Sequence, residues 1–448
     1  LPVYWFHDGK QLVLSREISF ATQIKQSVRA HQQAIASTLL LGYPIGEDTL
    51  WEGINRLPPH SIAIYRLVEN KIHINSEFQF EAEPYEPNRK VHTDEILHLL
   101  QKAILSRQEV LSNPTLSLSG GLDSRLIAGI MAGLNTPSSY ATYMDKAGTA
   151  AADVSAVEEI INNLGITAQH QFIELAEPNK TDLDMLIRIK QGLNYLEMAF
   201  ILPYLEHFKK IHRSHITGDG GDKFLADLRP LLKLSTFNQL LSYVLSQHAI
   251  MPIKYVAELS GLKQGEILHH LASRFAQYQT DSIMEKYMHF MIRERAMKWL
   301  FEGEDRNRYY SWCTSPFYNP DVIDATCSWP MKGKANGALF KELFLKLPGQ
   351  LQQITNPNWS LSPDNEKAIR RMFWQQKLKL VIPPKLLHTI KGRPQQLILP
   401  QFQQAASLIN DSDVPSWFNK DFILHTRSFS TEAQWHLITL LHLWRKNS

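Results

Sequence analysis

The stretch Leu116–Ile130, LSLSGGLDSRLIAGI, constrains this chain more than any other. A short apolar strand runs into Ser-Gly-Gly-Leu-Asp-Ser and then straight into a helix. Such a join aims the helix's positive end and several backbone N–H groups at one point beyond the strand. That point suits an anion, phosphate in particular. Gly120 and Gly121 let the main chain approach phosphate oxygens, Leu122 opens the helix, and the hydroxyls of Ser119 and Ser124 add donors. The loop lacks the lysine of a GxxxxGK[ST] motif and the spacing of GxGxxG, so neither the Walker nor the dinucleotide reading fits. Asp123 then needs an explanation. A carboxylate inside a phosphate cradle repels its ligand unless a cation stands between them, and Asp123 therefore reads as a Mg²⁺ ligand.

The surrounding grammar is that of a parallel α/β sheet. Strands are expected at TLSLS (115–119), SYATYM (139–144), HQFIEL (170–175) and SHIT (214–217), and the segment DVSAVEEIINNLG between the second and third is an amphipathic helix that Gly165 ends. Beyond about residue 230 the pattern is mainly helical. Residues 1 to about 80 are β-rich instead: VYWF and QLVLS flank the turn pair Asp8-Gly9, and SIAIYRL and KIHIN flank a turn at Glu69 and Asn70.

A second loop follows the fourth strand, in TGDGGDKFLADLRP. Gly218, Gly220 and Gly221 alternate with Asp219 and Asp222, which makes a tight turn carrying two carboxylates. Ligands of open α/β sheets bind at the carboxyl ends of strands. Asp222 is the candidate for a second metal ligand, and Asp219 for work on the reacting carboxylate or amine.

The 448 residues exceed one ordinary core and suggest two or three domains. A formal charge of +3 gives no reason to expect nucleic acid or an anionic membrane as a partner. Two cysteines, Cys313 and Cys327, have no metal-ligand spacing and fit a reducing, cytoplasmic setting. The histidines form no zinc-ligand pattern. No apolar run reaches the ~20 residues of a membrane span. The first residue is Leu1 rather than methionine, so the chain reads as a processed or partial form of something longer. From Lys367 to Asn410 there are eight Lys or Arg residues and no acidic one. This run reads as a solvated helix and loop, or as a dock for an acidic partner.

SGGLDS resembles the loop of the ATP pyrophosphatase class, and together with GDGGDKF it is similar to the synthetase domain of the asparagine synthetase family. LGYPIGEDTLWEGINRLPPHSIAIY is similar to the end of that family's glutamine amidotransferase domain, and EAQWHLITLLHLWRK to its terminal helix. The resemblance implies an α/β fold: a parallel sheet of the adenine nucleotide α-hydrolase-like type with a helical C-terminal extension, preceded by a partial, β-rich amidotransferase-like region. On this reading residues 1–80 are the end of the amidotransferase-like region and residues 90–448 the ligase domain. It implies ATP and Mg²⁺ as cofactors, with Mg²⁺ on Asp123 and Asp222, a carboxylate activated as its acyl-adenylate, and an amine forming the amide. Its small-molecule or peptide substrates, and its oligomeric state, are not legible. The family has an acidic residue or tyrosine at the position of Asp219, supported by a glutamate in a GxExR-like stretch. Here FEGEDRNRYY offers Glu304, followed by Arg306, although Glu304 is equally readable as a surface ion pair.

Two departures matter. The family places a pyrophosphate-neutralising lysine about twelve residues before a Leu-Pro, and counting back from Leu347-Pro348 lands on Asn336. Lys334, in the small-residue segment KGKANGA, is the first candidate to replace it, ahead of Lys223; Lys332 is also near. The family's amidotransferase begins with a catalytic cysteine, whereas this chain begins Leu-Pro-Val and has no cysteine before Cys313. Its ammonia or amine would come from a separate source or a missing N-terminal segment. Three classes stay open: an asparagine synthetase-like amide ligase, a specialised relative forming a lactam, a peptide macrolactam or an amidated sugar acid, and a non-catalytic nucleotide-binding homologue. Without a thiol nucleophile to form a thioester, the 448-residue chain assayed alone is expected to release no ammonia from glutamine. Measurable glutaminase turnover would contradict this.

Overall fold

The computed structural model describes all residues except 26, 77–92, 112–113, 137, 146–147, 382–396, 426–428 and 448. The expected boundary between residues 80 and 90, and Lys385, Lys391 and Arg393 of the basic run, lie outside the described residues. The rest of that run's first half sits on the helix Glu366–Val381.

Near the N-terminus, β1 (Tyr4–His7) turns at Asp8-Gly9, where Gly9 has φ +86°, and pairs antiparallel with β2 (Leu12–Ser15), Tyr4 opposite Ser15. The short β3 (Asn55–Arg56) joins the other edge of β1. β4 (Ser61–Arg66) and β5 (Lys71–Ser76) form the second expected hairpin, Ser61 opposite Ser76.

The parallel sheet follows. β6 (Thr115–Ser117), β7 (Ser139–Asp145), β8 (His170–Leu175), β9 (His215–Ile216) and β10 (Cys313–Thr314) stand in the order β10-β9-β6-β7-β8, every neighbouring pair parallel. Four of these are the expected strands. β10 has only two residues, too few for any alternation to announce it. From β6 the chain adds strands outward through β7 and β8, then returns to place β9 on β6's other side. That reversal opens a crevice beyond the carboxyl ends of β6 and β9. The expected helix after β7 runs Ala151–Leu164 and ends at Gly165, left-handed with φ +67°.

Two cores support this arrangement. One packs Leu116 and Ile216 of the sheet against Leu126, Ile130, Val157 and Ile160 of its helices. The other joins Tyr4, Phe6 and Leu39 to Leu240 and Phe290 and to Leu437 of the C-terminal helix Thr431–Asn447. The N-terminal strands are too few to bury a face by themselves, so they complete a core built by later segments. Among the described residues, no helix is long and apolar enough to cross a membrane.

A helical run from Ile283 to Arg308, wound as a π-helix over Phe290–Leu300, ties the two cores together. Glu302, on its last segment, accepts hydrogen bonds from Tyr4 Oη (2.8 Å) and Arg56 Nη1 (2.9 Å) and pairs with the Lys190 ammonium. Lys190 also reaches Asp305 at 2.9 Å. Burial alone would raise the Asp305 carboxyl, but Lys190, Arg16 and Arg308 together outweigh it and hold Asp305 below the usual carboxylate range. Glu302→Leu would leave Arg56, Lys190 and Tyr4 Oη buried without their shared acceptor. It is expected to cost about 3–5 kcal/mol, read as a lowered urea midpoint; a shift under about 1 kcal/mol would show that the network holds nothing together.

Candidate functional site

Two loops meet in the crevice. The first follows β6, and its Gly121 caps the helix Leu122–Gly133. Its hydroxyls hold one another: Ser119 Oγ and Ser124 Oγ lie 3.0 Å apart, and the Ser119 N–H donates to Ser124 Oγ at 3.0 Å. The Gly121 N–H reaches Ser119 Oγ at 3.3 Å, and the Gly120 N–H donates to Asp153 Oδ1 at 2.9 Å. An acidic group thus already sits on one amide that the sequence reading assigned to phosphate. Gly120 admits no side chain, since a Cβ there would stand 2.7 Å from Ala156 Cβ.

Sequence reasoning missed Arg125. It is fully buried, and its guanidinium donates to the carbonyls of Gly120 (2.5 Å), Ile354 (2.7 Å) and Thr355 (3.0 Å). Burial pushes its pKa down to about 10, which still leaves it charged at neutral pH. The signal was available: a lone charge inside an apolar helical run has to find partners within the protein.

The second loop, Thr217–Gly221, follows β9 and turns at Gly220, left-handed with φ +95°, into the short helix Gly221–Phe224. It presses against the first. A Cβ on Gly218 would lie 2.7 Å from Ser124 N, and one on Gly221 would lie 2.5 Å from Asp123 Oδ1. Only glycine permits both approaches.

Four carboxylates gather here. Asp123 Oδ1 is buried with no hydrogen-bond partner among the described residues, and burial, reinforced by the charge of Asp222, pushes its carboxyl well above the usual range. Asp219 is pushed up in the same way by burial and by Glu304. Asp222 is half-exposed at the rim and pairs with the buried Lys223 ammonium. Glu304 is no surface residue: it is fully buried, accepts from the Thr217 hydroxyl, and accepts from Cys313 Sγ at 3.1 Å. Thr217 and Cys313, at the ends of β9 and β10, carried no sequence signal for this role.

Asp123 and Asp222 stand between two cavities. One, of about 380 Å³, runs from Ser119 and Ser124 past Asp219 to Tyr143, Phe200, Trp299 and Arg306. The other, of about 410 Å³, is bounded by Arg229, Lys334, Asn336, Asn356 and Trp359. A larger cavity of about 570 Å³ lies elsewhere, around Pro58, Met297 and Ile323, and none of the four carboxylates lines it.

Lys334, expected to replace the missing lysine, is buried beside the second cavity. It lines the second cavity, but its ammonium donates to the carbonyls of Phe224 (2.8 Å) and Thr326 (2.6 Å), and burial pushes its pKa down to about 8. An ammonium folded under the turn Met331–Lys334 takes the nearest carbonyls, because leaving it unpaired away from water costs more. Asn336, at the expected register, lines the same cavity.

Among the described residues no three His, Cys, Asp or Glu side chains form a metal-holding group. The pair Asp123 and Asp222 still fits Mg²⁺. Its donors are hard oxygens, Asp123 Oδ1 lacks a partner, and Mg²⁺ is commonly held by one or two carboxylates together with phosphate and water.

The asparagine synthase family model matches residues 95–348, more than half of the chain. Among solved structures, an NMN synthetase from Francisella tularensis is similar at 16% identity, over 48% of this chain and 97% of that one, with a TM-score of 0.24. No curated protein matches.

Arg125→Met would strip the carbonyls of Gly120, Ile354 and Thr355 of a buried donor. At about 1–3 kcal/mol for each unsatisfied group, it is expected to destabilise the protein by several kcal/mol in chemical denaturation. A loss within about 0.5 kcal/mol would mean the clamp is dispensable.

Proposed function

The chain belongs to the asparagine synthase family, and from that premise we propose that it is an ATP-dependent ligase. It activates a carboxylate as its acyl-adenylate, releases pyrophosphate, and forms an amide when an amine displaces AMP. One observation carries this reading: the SGGLDS and GDGGD loops touch through Gly218 and Gly221 at the sheet's reversal point, with Asp123 between two cavities.

In this reading Ser119, Gly120, Gly121, Leu122 and Ser124 hold ATP phosphates at the helix N-terminus, exchanging some internal hydrogen bonds for phosphate oxygens. Gly218 and Gly220 let the second loop close on the nucleotide. Asp123 and Asp222 would hold Mg²⁺. When bound, it supplies positive charge against the phosphates. Asp219 faces the reacting carboxyl and takes the proton that the amine loses as it attacks. Glu304, itself held by Thr217 and Cys313, orients Asp219. Lys223, whose ammonium pairs with Asp222 beside the place of the metal, is the candidate to meet charge on the departing pyrophosphate. The free cysteines fit a reducing compartment such as the cytoplasm. A homologue that binds nucleotide without chemistry is the second reading, favoured by the engagement of Lys334 with Phe224 and Thr326.

The test is carboxylate-dependent pyrophosphate release. Asp123→Asn and Asp222→Asn are each expected to abolish it while melting close to the parent, and near-normal turnover in either would remove that residue from the site. Lys223→Ala should lower release by roughly 10²-fold. Lys334→Ala should act mainly on stability, at about 1–3 kcal/mol. A 10²-fold loss for Lys334→Ala at unchanged stability would return the pyrophosphate role to Lys334. Nucleotide binding without release for any carboxylate would favour the second reading.

A further inference from the structure

Two side chains that line the 380 Å³ cavity, beyond Asp123, each carry a buried polar atom with no hydrogen-bond partner among the described residues. Arg306 is 4% exposed; its Nε and Nη2 both engage Asn307 Oδ1, at 3.2 and 2.8 Å, while Nη1 has no hydrogen-bond partner. Asn194 is 6% exposed, and its Oδ1 has none either. Both side chains line the cavity. Leaving a buried donor and a buried acceptor unpaired is unfavourable, most of all when one is charged. Two such groups on side chains that line one cavity amount to half of a recognition pattern.

Position and charge suggest the other half. Arg306 and Asp219 line the same cavity, and their opposite charges act on each other. Arg306 therefore stands beside the loop at which a carboxyl group would be activated. The other ionisable groups lining the cavity are Asp123, Asp219, Asp222, His215 and the tyrosines Tyr143, Tyr195 and Tyr204, whose hydroxyls burial pushes up. Burial pushes His215 down to about 3, so it is neutral at physiological pH. Arg306 is thus the one cationic side chain among the described lining residues. The lining also includes the apolar side chains of Met198, Phe200, Ile201, Trp299 and Leu300.

Resting on the ligase reading, we infer that Arg306 Nη1 binds the carboxylate to be activated and that Asn194 Oδ1 accepts a hydrogen bond from an N–H of the same substrate. The acyl substrate is a monocarboxylate that carries an amide or ammonium N–H on an apolar body. Once the carboxylate is esterified its carbonyl oxygen remains an acceptor, so Arg306 keeps its partner through activation. A second carboxylate would meet three acidic side chains and a single cation already in use.

The test uses non-reactive acyl-adenylate mimics, the 5′-O-(N-acylsulfamoyl)adenosines, with binding measured by calorimetry against AMP. The leucyl compound has an ammonium and an apolar body, the 4-methylpentanoyl compound lacks the N–H, and the β-aspartyl compound adds a second carboxylate. The parent protein is expected to bind the leucyl mimic at least about 30-fold more tightly than the 4-methylpentanoyl mimic, and the β-aspartyl mimic more weakly than the leucyl. Asn194→Leu should bring the first ratio to within about threefold. Arg306→Met should weaken both the leucyl and 4-methylpentanoyl mimics by roughly 10²-fold, with a much smaller effect on AMP, and Arg306→Lys should recover part of the loss. If Arg306→Met does not fold, the comparisons in the parent and in Asn194→Leu still decide. Equal binding of the leucyl and 4-methylpentanoyl mimics, a preference that survives Asn194→Leu, or tightest binding of the β-aspartyl mimic would overturn the inference. So would AMP binding with no gain from any acyl group, and that result leaves the ligase reading standing. Failure of AMP and every mimic to bind would overturn the ligase reading and this inference with it.

Discussion

Asp123, Asp219, Asp222 and Glu304 converge on one edge of a parallel sheet, and the electrostatic problem this creates organises much of the molecule. Like charges in a partly dry crevice repel strongly, and burial adds its own penalty to each ionised carboxyl. Asp123 and Asp219 are accordingly pushed well above the usual range. The protein answers unevenly. Glu304 receives donors from Thr217 and Cys313, and Asp222 receives the Lys223 ammonium, while Asp123 Oδ1 has no hydrogen-bond partner among the described residues. A group left so exposed to repulsion is the one a cation would relieve most.

The same constraint explains why the N-terminal region belongs to the site. The segment Phe301–Arg308 points Glu304 and Arg306 toward the crevice, and on another side Glu302 and Asp305 bind Tyr4, Arg56 and Lys190. One turn earlier, Lys298 donates to the carbonyls of Gly46 (2.5 Å) and Asp48 (3.1 Å). The N-terminal strands and the loop after Leu41 therefore hold the helix that shapes the cleft. Their value to the fold lies in this anchorage and in the core they complete, since two short antiparallel ribbons bury little by themselves.

Legibility followed how local each device is. Ser119-Gly120-Gly121-Leu122-Asp123 and Gly218-Asp219-Gly220-Gly221-Asp222 are contiguous, and their glycines and carboxylates announce a turn and a charge wherever they occur. The strands flanking them were readable for the same reason. Lys334 shows where that reading stops. A segment of small residues suggested a mobile ammonium, yet the direction of a long side chain depends on the nearest acceptor, and here the carbonyls of Phe224 and Thr326 lie 2.8 and 2.6 Å away. Arg125, Cys313 and Asn194 escaped notice because each gains its meaning from a partner or a cavity distant in sequence.

By itself, the sequence determined that a strand would turn through Ser119-Gly120-Gly121 into a helix, that a second acidic turn would end another parallel strand, and that helices would cover the sheet, because these follow from short-range sterics and hydrophobic period. Only the tertiary structure decided that β9 returns beside β6, so that Gly218 and Gly221 meet Ser124 and Asp123 in one crevice. It also decided that Glu304 is buried, that the Lys334 ammonium meets the carbonyls of Phe224 and Thr326, and that Arg306 and Asn194 line one cavity. These are contacts between segments tens to hundreds of residues apart, and their energies depend on burial and on distances of a few ångströms that no local pattern encodes.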